Sequence, residues 1–317
     1  MAVWLARDEY THIPDPTVIS ATGLMRPVKQ ILLGARIPVV PANTPGLIPC
    51  TDISSLVASR LGTAVHNSIE SSWVENHEQA LQDLGYPQKI IDRVVINPEG
   101  KPPKGSLPVY TELRTQKAVG EWNISGEFDF VMEGRVHDFK STGTYTYTHG
   151  TNTSNYIKQM SIYRWLNPEI ITDSHGAIQF IFTDWKALLA VNDPKYPKTR
   201  VLEKLYPLWS VEQTDTWVNA KLGLLERLAD SPEEDMPRCT DEELWRSAPK
   251  FKYYTKPDSK RAWRSFDTAR EANELKASRG SGYVKEVGGE VKACKWCPAA
   301  SMCRQKEEYL NDGSLKL

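Results

Sequence analysis

Apolar residues recur along this chain at two spacings. From Thr51 onward Ile53, Leu56, Val57, Leu61, Val65 and Ile69 return every three or four positions, which predicts one face of a helix, with Thr51 or Asp52 able to cap its first turn. The pattern carries that helix to about residue 83, with room for one break, and sets Gly62, His66 and Glu70 one turn apart on a single face. A glycine there leaves space for a close neighbour. In GEFDFVMEGRVHDFKST, residues 126 to 142, the spacing drops to two on either side of Glu133-Gly134, which predicts two strands joined by a two-residue turn. That register sets Met132 opposite Arg135, Val131 opposite Val136, Phe130 opposite His137 and Asp129 opposite Asp138. Lys140 then shares a face with Asp138, while Phe128, Phe130, Met132 and Phe139 point the other way.

The remaining segments are less regular. Residues 1 to 20 read as an extended tail, ATGLMRPVKQILLGARI as a short helix interrupted by Pro27, and PVVPANTPGLIP as a proline-rich loop. Residues 86 to 118 look irregular, with strands near Val94 and Val109, and TGTYTYTHGTNTSN after the hairpin reads as a polar loop. YIKQMSIYRWL predicts a helix with Tyr156, Gln159 and Tyr163 on one face, and GAIQFIFTDW, residues 176 to 185, a buried strand. A charged connection over 186 to 206 and a helix around 210 to 229 follow. The order helix, strand, strand, helix, strand predicts an α/β core built on a mixed sheet.

Composition narrows the class without naming a function. The chain has 317 residues, enough for one large domain or two small ones, and its 40% hydrophobic and 25% charged content is that of an ordinary globular protein. No run approaches the length of a membrane span, and MAVWLARDEY brings charges too early for a signal peptide, so the expectation is a cytoplasmic protein with no membrane partner. A net charge of −1 means that any nucleic-acid surface must be local. In a reducing compartment five cysteines point to metal or redox chemistry before disulfides.

The chemistry concentrates in three places. Two directly opposed aspartates would repel at a Cβ separation of about 5 Å, and a divalent cation would offset that repulsion. Mg²⁺ and Mn²⁺ favour carboxylate, carbonyl and water oxygens, and a lysine two residues past the second aspartate can orient a water and stabilise charge on a phosphoryl oxygen. A solvated hairpin face with an ordinary counter-ion would use the same letters. His66 could add a neutral imidazole beside the carboxylates, with Glu70 able to orient it. Farther on, CKWCPAASMC places Cys294, Cys297 and Cys303 at C-x₂-C-x₅-C spacing, which suits Zn²⁺ or an iron–sulfur cluster once a fourth ligand is found. Cys239, in the same C-terminal region, is the preferred fourth and Cys50 the second choice. Finally, PKFKYYTKPDSKRAWRSF interleaves six Lys or Arg residues and one Asp with Phe251, Tyr253, Tyr254, Trp263 and Phe266. Cations beside aromatic rings suit a contact with single-stranded DNA, although a solvated hairpin over core aromatics fits the same pattern.

Four of these pieces, taken in order, resemble the PD-(D/E)XK nuclease superfamily and within it the RecB-like branch of CRISPR-associated and phage-encoded exonucleases. They are G-T-A-V-H at 62 to 66, G-E-F-D at 126 to 129, D-F-K at 138 to 140, and Y-I-K-Q-M-S-I-Y at 156 to 163, the last similar to that branch's Q-x-x-x-Y motif. The resemblance spans about a third of the chain and implies a restriction-endonuclease-like core over residues 21 to 190. A C-terminal helical and cysteine-cluster region would occupy 191 to 317 and a tail 1 to 20. It implies that His66, Asp129, Asp138 and the Phe139 carbonyl bind a catalytic Mg²⁺ or Mn²⁺, that Lys140 positions the attacking water, and that Gln159 and Tyr163 support the site and the DNA backbone. Relatives with a structural 4Fe–4S cluster take their fourth cysteine from far upstream, beside a proline; here that place reads Met25-Arg26-Pro27, so a four-cysteine zinc site stays equally open. The implied function is a metal-dependent DNA exonuclease acting on ends or single-stranded regions, with recombination or replication proteins as partners. A structure-selective endonuclease on the same core and a non-catalytic DNA-binding recombination scaffold are the alternatives.

Overall fold

The long alternating runs become strands because every second side chain can be buried against helices. In the computed structural model, which describes residues 1–7, 13, 15–38 and 52–316, those strands are β1 (Val18–Ser20), β2 (Val94–Ile96), β3 (Leu107–Val119), β4 (Trp122–Met132), β5 (Arg135–Thr142), β6 (His175–Phe182) and β7 (Val201–Pro207). They form one seven-stranded sheet in the order β2-β3-β4-β5-β6-β7, with β1 added beside β4. The β2–β3, β5–β6 and β1–β4 pairs are parallel and the rest antiparallel, so the sheet is mixed and the fold α/β, as the element order predicts. Most of the proline-rich run, Thr51 as a cap and Cys50 as a ligand lie outside the described residues.

Helices α1 (Ala2–Ala6), α2 (Ala21–Leu24), α3 (Val28–Ala35), α4 (Val57–Asp83), α5 (Gln88–Ile91), α6 (Thr144–His149), α7 (Thr153–Leu166), α8 (Ala187–Asn192) and α9 (Val211–Leu228) follow the apolar periodicity where it is strong. Asp52 caps a 3₁₀ turn over Ile53–Leu56 by accepting from the Ser54 N–H, and α4 continues to Asp83, so the long helix and its break are as expected. Pro27 separates α2 from α3. Where periodicity is weak the chain holds more structure than its letters suggest. Val18 to Ser20 pair with Asn123 to Ser125, so the N-terminal segment is not the extended tail expected. The polar loop contains α6 and the charged connection most of β7, while the strands expected near Val94 and Val109 are found as β2 and β3, the latter thirteen residues long. In each case pairing with a neighbouring strand or packing on the sheet overrides modest local propensity.

Two positions show why α7 can lie against the sheet and why the hairpin turns where it does. A Cβ on Gly126 would come 2.5 Å from Leu166 Cδ1 and 3.2 Å from the Tyr163 ring, so glycine is required for α7 to pack on β4. In the Glu133-Gly134 turn both residues have positive φ, 51° and 78°, as a type I′ loop demands. The core between sheet and helices holds Phe128, Ile124, Val136, Met160, Ile162, Trp165, Ile178 and Phe180, all with essentially no exposure. Each such side chain contributes about 1.5 to 3 kcal/mol by its burial. No described helix is long and apolar enough to cross a membrane.

By chain contacts the described residues form two units, one up to Met25 and from 52 to Leu222, the other from Arg26 to 38 and from Gly223 onward. The second unit contains α3, the end of α9, a three-stranded sheet of β8 (Lys250–Tyr254), β9 (Arg264–Phe266) and β10 (Tyr283–Val287), and helices α10 (Ala269–Arg279) and α11 (Arg304–Asn311). Within it, Arg36 donates to the Ala229 and Ser231 carbonyls at 2.7 Å each, and the buried Lys29 ammonium meets Glu233 at 3.3 Å. Leu244, Val291, Tyr309 and Leu315 form a small apolar cluster against which Cys239 and Cys294 pack.

Candidate functional site

The hairpin register is found as predicted for three pairs, Met132–Arg135, Val131–Val136 and Phe130–His137, and then β5 leaves β4 to pair in parallel with β6. Asp129 sits at that fork. Its Oδ2 accepts from the Phe139 N–H at 2.8 Å, so a side chain takes the place where the backbone ladder would continue. On α4, His66 places Nε2 3.0 Å from the Phe139 carbonyl oxygen and Nδ1 3.5 Å from Asp129 Oδ2. Asp138, one per cent exposed, points to the side of the sheet where Lys140 lies, with Nζ 2.6 Å from its Oδ2. At that distance the ammonium pairs with Oδ2, while Asp138 Oδ1 is buried with no hydrogen-bond partner. Gln159 and Tyr163 occupy one face of α7, the amide donating to the phenol oxygen at 2.8 Å, and the buried Tyr163 lies within electrostatic reach of Asp138 and Asp129.

A residue that the sequence reading passes over joins this group. Between the pairs Thr111–Phe130 and Leu113–Phe128, Glu112 of β3 stands across from Asp129, but its φ of 46° takes it out of the ladder. Such a conformation is strained for a glutamate and is concentrated at functional sites. The strain is held by Asn97, whose side chain accepts from the Thr111 N–H at 2.8 Å and donates to its hydroxyl at 3.2 Å. Glu112 Oε1 lies 3.8 Å from His66 Nδ1, and among the described residues His66, Glu112 and Asp129 offer ligand atoms within 4.8 Å of one another. Glu112 thus joins His66 and Asp129 in one group, while Asp138 is engaged with Lys140. A hairpin over 107 to 132 puts Glu112 opposite Asp129; the strand expected near Val109 is there, but its length and its pairing with β4 are not read from the sequence. Glu70, also on α4, feels Glu112 and Glu127, and its carboxyl is raised first by burial and then by those charges.

Electrostatics match this crowding. Burial pushes the Asp129 carboxyl up to about 7, reinforced by the negative charge of Asp138. His66 is raised to about 9, chiefly by its contact with Glu112 and, against the effect of burial, by Asp129. Burial works to deprotonate Lys140, but Asp138 and Asp129 more than offset it and hold the ammonium above its ordinary value. Tyr163 is raised by burial and by the same two aspartates, so the phenol keeps its proton. Asp129 and Glu112 open onto a cleft of about 180 Å³ whose walls include Ser20, Arg114, Glu127 and Tyr163. At about 30 Å³ per water this has room for several waters.

In the second unit the sequence-predicted thiols are drawn from separate short elements. Cys294 lies in a 3₁₀ turn, Ala293–Lys295; Cys297 precedes a second, Pro298–Met302; and Cys303 stands at the N-cap of α11. Cys239 is held by the buried Gln305, which accepts from its N–H at 3.0 Å and donates to its carbonyl at 3.1 Å. All four are free and half-buried. Burial pushes the Cys239 thiol up to about 12, followed by Glu243 and the charges of Cys303, Cys294 and Cys297; Cys294 and Cys303 are raised for the same first reason. Thiols so raised keep their protons unless a metal takes their place.

No protein-family model and no curated protein matches the sequence. Among solved structures, the chain is similar to SSO0001 at 18% identity, covering 70% of this chain and 81% of that one with a TM-score of 0.39. It is also similar to an alkaline exonuclease from Laribacter hongkongensis at 11% identity, with 68% and 90% covered and a TM-score of 0.30. A phage-related exonuclease from Haemophilus somnus 129PT gives 12% identity, 67% and 93% coverage and a TM-score of 0.29. Likeness this loose carries no weight for the activity of this chain.

Proposed function

We propose that this chain is a metal-dependent deoxyribonuclease that hydrolyses phosphodiester bonds, working as an exonuclease on DNA ends or single-stranded regions in recombination, repair or replication. The observation that carries the reading is the trio His66, Glu112 and Asp129, whose ligand atoms lie within 4.8 Å of one another, with the buried Asp138 ion-paired to Lys140 nearby. Buried carboxylates are costly unless paired or bound to a cation, and here burial and mutual repulsion already raise Asp129. Two aspartates, a glutamate and an imidazole are a donor set that suits Mg²⁺ or Mn²⁺. Asp129, Glu112, Asp138 and His66 would hold the ion, with the Phe139 carbonyl available once His66 releases it. When bound, the ion supplies Lewis-acid polarisation of a phosphoryl oxygen and a water of lowered pKa.

The residues themselves divide the rest of the work. Lys140, kept protonated by its two acidic neighbours, offers N–H donors to a water or to a non-bridging phosphate oxygen, where it orients the nucleophile and stabilises developing charge. Asp138 fixes where that ammonium points. The Phe139 N–H sets the Asp129 carboxylate, and Gln159 sets the Tyr163 phenol that lines the cleft. The thiols of Cys239, Cys294, Cys297 and Cys303 would serve as a structural 4Fe–4S or Zn²⁺ site, since all four are free and half-buried and the other three lie near enough to act on Cys239.

Digestion of end-labelled linear and circular DNA with Mg²⁺, Mn²⁺ or EDTA, using wild type and Asp138→Asn, tests the reading. Metal-dependent loss of ends on linear DNA alone, abolished in Asp138→Asn, is expected. Cutting of circles would replace the exonuclease with the endonuclease, and absence of any metal-dependent cutting would leave a DNA-binding scaffold.

A further inference from the structure

The three-stranded sheet of the second unit has two unlike faces. Side chains alternate along a strand, so Phe251 and Tyr253 of β8 share a face with Val284 of β10 and Phe266 of β9. Tyr253 is fully buried there, donates its hydroxyl to the Ser281 carbonyl at 2.9 Å, and meets Trp263 edge-on. Arg279 of α10 lies 3.8 Å over the Trp263 ring, which identifies this as the face that α10 covers. Several aromatics that look like base-stacking candidates in the sequence therefore belong to the packing of α10.

The opposite face is built differently. Tyr254 and Tyr283 are register partners, and their rings stack with centroids 5.1 Å apart and planes 10° from parallel. Next along the strands, Lys252 and Lys285 are partners as well, followed by Lys250 and Val287, with Ser265 on the far side of Lys252. Lys250 is matched by Asp267, whereas among the described residues neither Lys252 nor Lys285 is in an ion pair. No acid occupies any of these register positions. Directly opposed like charges are destabilising, and one glutamate in either strand would relieve them, so the missing counter-charge is left for a ligand to supply. Half-buried stacked tyrosines beside unmatched cations combine the two contacts by which a single strand is held without sequence preference. A duplex offers phosphates but no free base faces, so the tyrosine pair selects against it.

We propose that this open face binds single-stranded DNA, with one base against the Tyr254–Tyr283 stack and neighbouring phosphates at Lys252 and Lys285. The choice of DNA as the polynucleotide rests on the nuclease reading; the face itself calls for a single strand. Tyr283 and Lys285 lie outside the basic stretch noticed in the sequence, and only strand pairing brings them to it.

Fluorescence anisotropy of a labelled oligo-dT, measured on the full chain in EDTA at several salt concentrations, tests the proposal whether or not the protein cuts DNA. The K252Q/K285Q pair should bind about tenfold more weakly, with the slope of log K against log salt reduced by about 1.4 for two phosphate contacts. The Y254A/Y283A pair should lose roughly 5- to 150-fold on oligo-dT and nothing on an abasic oligomer of equal length, while Y254F/Y283F keeps wild-type affinity. Near-UV circular dichroism confirms that each variant is folded. Unchanged binding in both the lysine and the alanine pairs overturns the proposal, as does equal affinity for the abasic strand, for duplex DNA, or preferential binding of oligo-rU. A failed digestion assay alongside these expected shifts would reject the nuclease and keep the binding face.

Discussion

The carboxylate group and the thiols are both candidate ligand sets drawn from distant parts of the chain, yet they are held in opposite ways. Asp129, Asp138 and Glu112 sit on long strands of a seven-stranded sheet, and His66 sits on a 27-residue helix. Asp129 is oriented by the Phe139 N–H, His66 by the Phe139 carbonyl, Asp138 by Lys140, and Glu112 by the Asn97 bonds to its neighbour Thr111. Cys239, Cys294, Cys297 and Cys303 come from a loop, two 3₁₀ turns and the start of an eight-residue helix, beside a cluster of four buried apolar residues. So little regular structure and apolar burial cannot by itself fix four side chains. Among the described residues His66, Glu112 and Asp129 already offer ligand atoms within 4.8 Å of one another, whereas the thiols form no such group, so on the proposed reading a bound metal would have to draw them together.

The widest test of that contrast is to remove each metal. EDTA should abolish DNA cutting, a loss of about 10³-fold or more, while the melting temperature of the first unit stays close to that of the Mg²⁺-loaded protein. Cys303→Ser should do the reverse, costing about 4 kcal/mol or more of stability with loss of bound zinc or iron, read by thermal unfolding and metal analysis. Equal melting of Cys303→Ser and wild type would remove the contrast. A colourless zinc-loaded sample, against one with an absorbance band at about 400 nm, decides between zinc and the cluster.

A narrower cut falls within the carboxylate site alone. Glu112→Gln should weaken Mn²⁺ binding about tenfold, measured by calorimetry, with the fold and the Asp138–Lys140 ion pair unchanged. Unchanged affinity would return Glu112 to a purely structural part.

The proton balance sharpens the same contrast with a smaller effect. Asp129 is raised above 3.8 to about 7, so its contribution to metal-free stability is present below about pH 4 and lost as pH rises through about 7. His66 is raised from 6.5 to about 9, so its contribution is present up to about 6.5 and lost through about 9. The metal-free melting temperature should therefore fall across this range, and the increment produced by Mn²⁺ should grow with pH, because the ligands give up protons on binding. The smallest effect is expected from Gln159→Ala, which removes one hydrogen bond to Tyr163 and should cost about 0.5 to 1.5 kcal/mol in thermal unfolding.

Periodicity and spacing alone determined a good deal: the long helix bearing His66, the hairpin turn at Glu133-Gly134, the helix bearing Gln159 and Tyr163, the strand after it, and the candidate acids, lysine and cysteines. These are local features, set by contacts within a few residues or by strong apolar repeats. Only the tertiary structure decided that Glu112 faces His66 and Asp129, that Asp138 is buried against Lys140, and that Tyr283 and Lys285 stand beside Tyr254 and Lys252. Each depends on which strands pair and in what register, and that choice is made by packing across the whole sheet, which no short window of sequence contains.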